Sequence, residues 1–338
     1  MVLNENTVSQ WSDLSGKDFH CIQSNAVQQP LWVDSVSIIN NNPVLRFDGT
    51  DDFIKQDSTI TIGTVFIVCN WNGGGIVFPN YNGLFSRATG APNPVYIFIM
   101  KAGTDNFYTG TPYTSFETNT YINSFSSNQL FPLDKYKIIS GEDNTPDAYN
   151  SSIIGNNPLD GGNCYWNGDI AEIIVYDTLL TSIQREQVEQ YLRYKYAPPV
   201  NLGADITVNY GFCATKLNAH KDWFTSYAWS TSQTTDSILP DKSGEYSVDV
   251  TDIFGYPSSD TIKITYPGNL HPFPDTTICY GDTLVWNTQL NKTGYSFLWQ
   301  DSSTDSLFKI TQAGQYYVTV TDTIGASGCS VKSYTLNV

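Results

Sequence analysis

Charge is scarce in this sequence, positive charge most of all. Charged residues make up 15% of its 338 residues, only Arg46, Arg87, Arg185 and Arg193 are arginines, and Lys plus Arg number 17 against 33 acids. A net charge of −16 with no basic run lacks the electrostatic footprint of nucleic-acid binding. Histidine is limited to His20, His220 and His271, which fall in three different expected domains. That separation argues against a histidine-based zinc centre or a Ser–His–acid triad. No Gly-rich loop opens a helix, so no phosphate cradle is expected. No apolar run approaches the roughly 20 residues needed to span a bilayer. Met1-Val-Leu-Asn-Glu5 has neither the basic start nor the apolar core of a signal peptide. The chain therefore reads as the interior of a longer exported protein.

What the sequence does have is aromatic, hydroxyl and turn residues. Phe, Trp and Tyr reach 14%, a profile of all-β extracellular proteins rather than helical cytosolic enzymes. Pro43 to Phe53 reads as a strand, a tight Asp48-Gly49 turn and the next strand. Ile62–Cys69 is a continuous apolar run suited to a strand covered on both faces. Val95–Met100, Tyr136–Ser140 and Trp166–Asp177 are further strands, separated by Gly, Pro and Asn punctuation. Leu180–Tyr196 is the one convincing helix. Thr181 and Gln184 form a capping-box pair, and Val188, Tyr191, Leu192 and the stem of Lys195 make an apolar stripe. Arg193 and Lys195 suit the last turn, where the helix dipole favours cations, and Pro198-Pro199 ends the helix.

The second half repeats itself. Tyr210-Gly211 recurs as Tyr280-Gly281, Tyr227-Ala-Trp229 as Phe297-Leu-Trp299, Gly244-Glu-Tyr246 as Gly314-Gln-Tyr316, and Val250-Thr-Asp252 as Val320-Thr-Asp322. The spacing is 70 residues each time. Trp229 and Trp299 are expected to be core pins. Pro198-Pro199 and Tyr266–Pro274 read as stiff joints, so the repeats are expected to fold independently, end to end.

Three motifs carry a family resemblance in the first 196 residues: Val8–Gly16 with its Trp-Ser-Asp, Val44–Phe53 with its Asp-Gly, and Asp169–Asp177 leading into Gln187–Tyr196. With Gly83–Ser86 between them, they resemble the laminin-G-like, concanavalin A-like jelly rolls of secreted bacterial surface proteins. The repeats resemble Ig-like or PKD-like modules, and the series is similar to type IX-exported adhesin stalks of gliding Gram-negative bacteria. The resemblance implies an all-β architecture: a jelly-roll β-sandwich with one C-terminal helix over 1–197, then Ig-like modules over 200–267 and 268–338. It implies a non-catalytic, secreted or cell-surface adhesion protein whose partner is an extracellular glycan or surface protein. Alternatives are an accessory carbohydrate-binding region of a larger polysaccharide-degrading enzyme and a purely structural stalk. From the related repeats, Cys279 and Cys329 are expected to form a disulfide. Cys213 and Cys69 are expected to be small buried apolar residues, and Cys21 with Cys164 stays open as another pair.

Candidate sites come from the residues. Trp71, Tyr81, Phe107, Tyr108, Tyr113 and Trp166 neighbour Gly, Asn and Pro, and exposed aromatics of this kind are candidates for carbohydrate contact. Asp48, Asp51 and Asp52, with Asp13 as a further contributor, offer the oxygen ligands of a calcium site. The alternative is a hairpin whose acids cap backbone N–H groups. Asp169 and Glu172 are the nearest thing to a glycanase carboxylate pair, but a spacing of three puts them on opposite faces of a regular strand. No catalytic residue is assigned. Glu172 lies among apolar neighbours, and Arg46 is its expected ion-pair partner.

Overall fold

The computed structural model describes residues 1–72, 82–87, 96–99, 106–107, 119–130, 132, 134–149, 151–157, 164–213, 215–324 and 328–338. Strands dominate, and among the described residues there is one α-helix, Ser182–Tyr196. The chain divides into two compact units. One holds Met1–Pro199 with Lys221–Thr225 and Thr251–Tyr256; the other holds Val200–His220, Ser226–Val250 and Pro257–Val338.

The first unit is built on a 14-stranded sheet. Its middle runs through Lys137–Tyr149, Ile60–Cys69, Asn167–Tyr176 and Asn42–Asp48, all antiparallel. A single residue pair, Thr7 opposite Leu31, links that half to the strands Thr7–Trp11, Cys21–Ile22, Ile54–Gln56, Ser152–Ile154, Gly83–Arg87 and Tyr96–Ile99. Core residues come from both halves: Leu45, Phe47, Ile62, Val65 and Ile67 from the first, Val8, Ile54, Leu84, Phe98 and Ile154 from the second. The two halves of the sheet thus share one apolar interior, as its alternating side chains require. Gly49 completes the Asp48-Gly49 turn at φ +76°, a left-handed conformation that a side chain would strain.

The helix begins as its sequence dictates. Thr181 is the N-cap, Gln184 closes the capping box, and Ala197 ends the helix before Pro198. The face it buries differs from the expected Val188–Tyr191–Leu192–Lys195 stripe. Arg185, Glu189, Leu192 and Tyr196 are buried instead, a stripe one position round that carries two charges.

In the second unit the repeats show the same local bonds 70 residues apart. Trp229 Nε1 donates to Thr235 O and Trp299 Nε1 to Asp305 O. Tyr246 OH donates to Lys242 O and Tyr316 OH to Gln312 O. Both tryptophans are buried. The disulfide is Cys213–Cys329, with Cα atoms 5.1 Å apart, and not Cys279–Cys329. Cys329 lies just beyond Asp322, at the place where the Tyr210–Cys213 segment of the first repeat arrives, whereas Cys279 is exposed with a free thiol. Cys213 is therefore an exposed, bonded residue rather than a buried apolar one. The repeats are also not independent of each other: besides the disulfide, Tyr210 OH donates to Gly294 O and Gly211 N to Tyr295 OH. No disulfide joins Cys21 to Cys164, and Cys69 is buried as expected.

Candidate functional site

The strand Asn167–Tyr176 sets up the surface on which the helix lies. Ile170 pairs with Cys69 and Glu172 with Val68, so Ala171 is an extra residue, a β-bulge. One extra residue reverses the alternation of side chains. Ile170 is in the core, and Ile173 and Val175 pack against it. Asp169, Glu172, Ile174 and Tyr176 consequently share the opposite face, which corrects the expectation for Asp169 and Glu172.

Sharing a face does not make them a catalytic pair, because each is bound by its own cation. Arg46 Nε and Nη2 donate to the two Asp169 oxygens at 2.7 and 2.9 Å, and the Tyr136 hydroxyl donates to Asp169 Oδ2 at 2.6 Å. The Arg46–Glu172 pair expected from sequence is thus an Arg46–Asp169 pair, since Asp169 lies directly across the ladder from Arg46. Burial, then the bond to Asp169, holds the Tyr136 hydroxyl above its ordinary pKa range. Glu172, beyond the bulge, accepts from Lys195 Nζ and Tyr196 OH of the last helical turn, each at 3.0 Å.

A third carboxylate, itself buried, anchors the helix. Glu189 Oε1 accepts from Arg185 Nη1 at 2.7 Å and from Ser140 Oγ at 2.5 Å, while Glu189 Oε2 accepts from Ser124 Oγ at 2.5 Å. Arg185 Nε is 3.1 Å from Glu142 Oε1, and the guanidinium lies 3.6 Å from the centre of the Tyr121 ring. A buried arginine needs such partners to offset the loss of water.

With that polar stripe docked, the neighbouring stripe of the helix is left facing a groove. Gln184, Gln187, Val188 and Tyr191, at positions i, i+3, i+4 and i+7, line it on one side. Ile174 and Tyr176 of the bulged strand line it as well, together with Leu180. The groove measures about 410 Å³, within the roughly 300–1,000 Å³ of small-molecule sites. None of its lining residues carries a formal charge. Gln184 Oε1 accepts from Thr181 N and Oγ1 in the capping box, which leaves its amide NH2 to donate elsewhere. Tyr191 is 53% exposed, so a large part of its ring is open to a ligand.

The aromatic candidates named from sequence fall elsewhere. Trp71 and Trp166 are buried, edge to face with centroids 4.9 Å apart. Phe107 is buried 5.1 Å from Phe98. Neighbouring Gly, Asn and Pro marks a loop but does not say whether its ring turns inward, and these three do. Tyr81, Tyr108 and Tyr113 lie outside the described residues. The groove was legible only as a second helical stripe beside the one that packs.

Of the acidic candidates, Asp48, Asp51 and Asp52 do converge, with carboxylate oxygens within 4.8 Å of one another. Asp48 Oδ1 accepts from Thr50 N and Asp51 N, and Asp52 Oδ2 accepts from Asp48 N. Asp52 is buried; that burial, with the charges of Asp48 and Asp51 beside it, pushes its carboxyl up to about 7 against the pull of the Asp48 N–H. A divalent cation would relieve that crowding. Asp13 is not in the cluster. Its carboxylate accepts from Ser15 N, Ser15 Oγ and Phe19 N, which outweigh partial burial and hold its pKa down. Cys213, Asp322 and Cys329 also converge, but the disulfide leaves no thiolate there for a metal.

No protein-family model matches the chain, and no curated protein matches it. Among solved structures it is similar to a Bacteroides ovatus mixed-linkage glucan utilization locus protein, SGBP-B, in complex with a mixed-linkage heptasaccharide. The identity is 14% over 40% of this chain and 43% of that one, with a TM-score of 0.21. The chain spans less than half the length of that structure, and the superposition is too loose to carry fold or ligand across. No described helix is long and apolar enough to cross a membrane.

Proposed function

We propose that the chain is a non-catalytic, extracellular surface protein that binds carbohydrate through its first 197 residues. In this reading residues 1–197 are a lectin-like jelly roll, and 200–267 and 268–338 are Ig-like modules that carry it. The observation that supports it best is the pairing of an open, uncharged groove with tied-up carboxylates. Tyr176 and Tyr191 can offer ring faces to the C–H faces of a sugar, and the Gln184 and Gln187 amides can hydrogen-bond its hydroxyls. The lining fits a neutral polyhydroxylated ligand, since a net charge of −16 elsewhere in the chain disfavours an anionic one. Asp169, Glu172 and Glu189, each held by its own cation, serve as anchors rather than acids or nucleophiles. Asp48, Asp51 and Asp52 are our candidate calcium ligands, at a turn rather than in the groove.

A glycan array probed with the full chain tests this reading. It predicts binding to neutral polysaccharides, weakened about tenfold by Tyr191→Ala, the scale of one aromatic contact. Absence of binding to any glycan, or turnover of a bound one, would overturn it.

A further inference from the structure

Each repeat carries an acceptor tip, and both tips are occupied, by different contacts. In the first repeat Asp252 N donates to Tyr256 O, and in the second Asp322 N donates to Cys329 O, each at 3.0 Å, so the two tips correspond. Within the first compact unit, Asp252 accepts from Arg193 Nε at 2.8 Å, and Tyr256 lies 4.6 Å from the guanidinium. Trp223 Nε1 of the same tip donates to Pro198 O. Within the second unit, Asp322 and Cys329 receive the first repeat: the disulfide joins Cys329 to Cys213, and Asp322 lies beside Gly211. The first tip therefore holds the end of the helix and the Pro198 joint, and the second holds the Tyr210–Cys213 segment of the first repeat.

The segment held by the second tip is the Tyr210-Gly211 motif. Tyr210 OH donates to Gly294 O at 2.8 Å and accepts from Ile324 N at 3.0 Å, and its ring packs 5.1 Å from Tyr295. Gly211 takes φ +80° there and donates its N–H to Tyr295 OH at 3.1 Å. The same motif recurs as Tyr280-Gly281, with Gly281 at φ +94°. Yet Tyr280 is fully exposed, and no hydrogen bond or ring contact is made by its side chain among the described residues. A large aromatic held out in water on a left-handed glycine turn suits contact with a partner better than its own module.

We propose that Tyr280-Gly281 is a docking tip for a further module of this repeat type, seated as Tyr210-Gly211 is seated on the second repeat. The partner surface must supply a Gly-Tyr pair at a hairpin base and a free backbone N–H beside its tip aspartate. The second repeat of another copy cannot serve, because Tyr210 already fills that surface.

The test appends one more copy of residues 268–338 to the full chain and follows amide exchange at Gly281 and tyrosine modification at Tyr280. Gly281 should slow by about tenfold or more relative to the parent chain, as expected for an amide newly bonded in an interface, and Tyr280 should become protected. Fast exchange at Gly281 with Gly211 still protected would overturn the proposal. So would protection of Tyr280 in the parent chain that grows with concentration, since a second copy would then be the partner. Should the appended copy fail to fold, Tyr210→Ala in the parent decides. It should expose Tyr295 to modification and release the Gly211 amide; if both stay protected, the Tyr-Gly motif does not do the seating.

Discussion

Tyr210 and Tyr280 occupy the same place in two copies of one pattern. Tyr210 is gripped by Gly294, Tyr295 and Ile324, whereas Tyr280 stands in water. Trp229 and Trp299, by contrast, are buried alike and bonded alike. A repeat thus dictates its own interior, while its ends take their structure from whatever they meet. This is the nearest-neighbour logic of modular chains, in which stability divides into a term within each unit and a term at each joint.

Substitutions can separate those two terms. Trp229→Ala and Trp299→Ala should each cost about 3–5 kcal/mol in denaturant unfolding, because both remove a buried ring and its bonded N–H. A marked difference between them would break the symmetry of the interiors. At the joints, Cys213→Ser should lower stability by about 2–5 kcal/mol, since it opens a cross-link between repeats, while Cys279→Ser should change nothing measurable. Equal effects would mean that the joint adds no stability. Arg193→Ala should cost about 2–3 kcal/mol by leaving Asp252 buried and unpaired. A cost near zero would show that the helix is not held at that tip.

The smallest expected effect concerns the acidic turn. Asp52 has its folded pKa raised to about 7 from an ordinary 3.8, so the folded state binds its proton more tightly than the unfolded chain does. Stability should therefore be highest below about pH 4, decline as pH rises towards 7 and level off above it. Asp52→Asn should flatten that slope. Calcium at pH 8 should raise the melting temperature of the parent chain, and chelator should remove the gain. No shift with either would leave the turn as backbone capping alone.

Much of this fold could be read from residues. The capping box at Thr181 and Gln184, the Asp48-Gly49 turn, the apolar strand around Val65–Val68 and the core tryptophans all follow from local chemistry. What could not be read depends on single-residue events with long reach. The bulge at Ala171 reverses every later side chain of its strand, and nothing in Ile170-Ala-Glu172 announces it. Asp169, before it, faces Arg46 across the ladder, while Glu172, after it, is left for Lys195. The helix buries Arg185 and Glu189 because Ser124, Ser140 and Glu142 happen to lie beneath them, which no helical periodicity can show. The Cys213 partner was hidden for a similar reason, since a matched pair within one module was expected and the bond lies between modules.

The central claim is that a neutral glycan lies between the helix and the bulged strand. Hydrogen exchange of the full chain with and without a saturating neutral polysaccharide, resolved to segments, tests it most directly. Added protection should fall on residues 174–191 and be lost in Tyr191→Ala. Protection confined to the Asp48–Asp52 turn or to the repeats, or none anywhere, would contradict the claim.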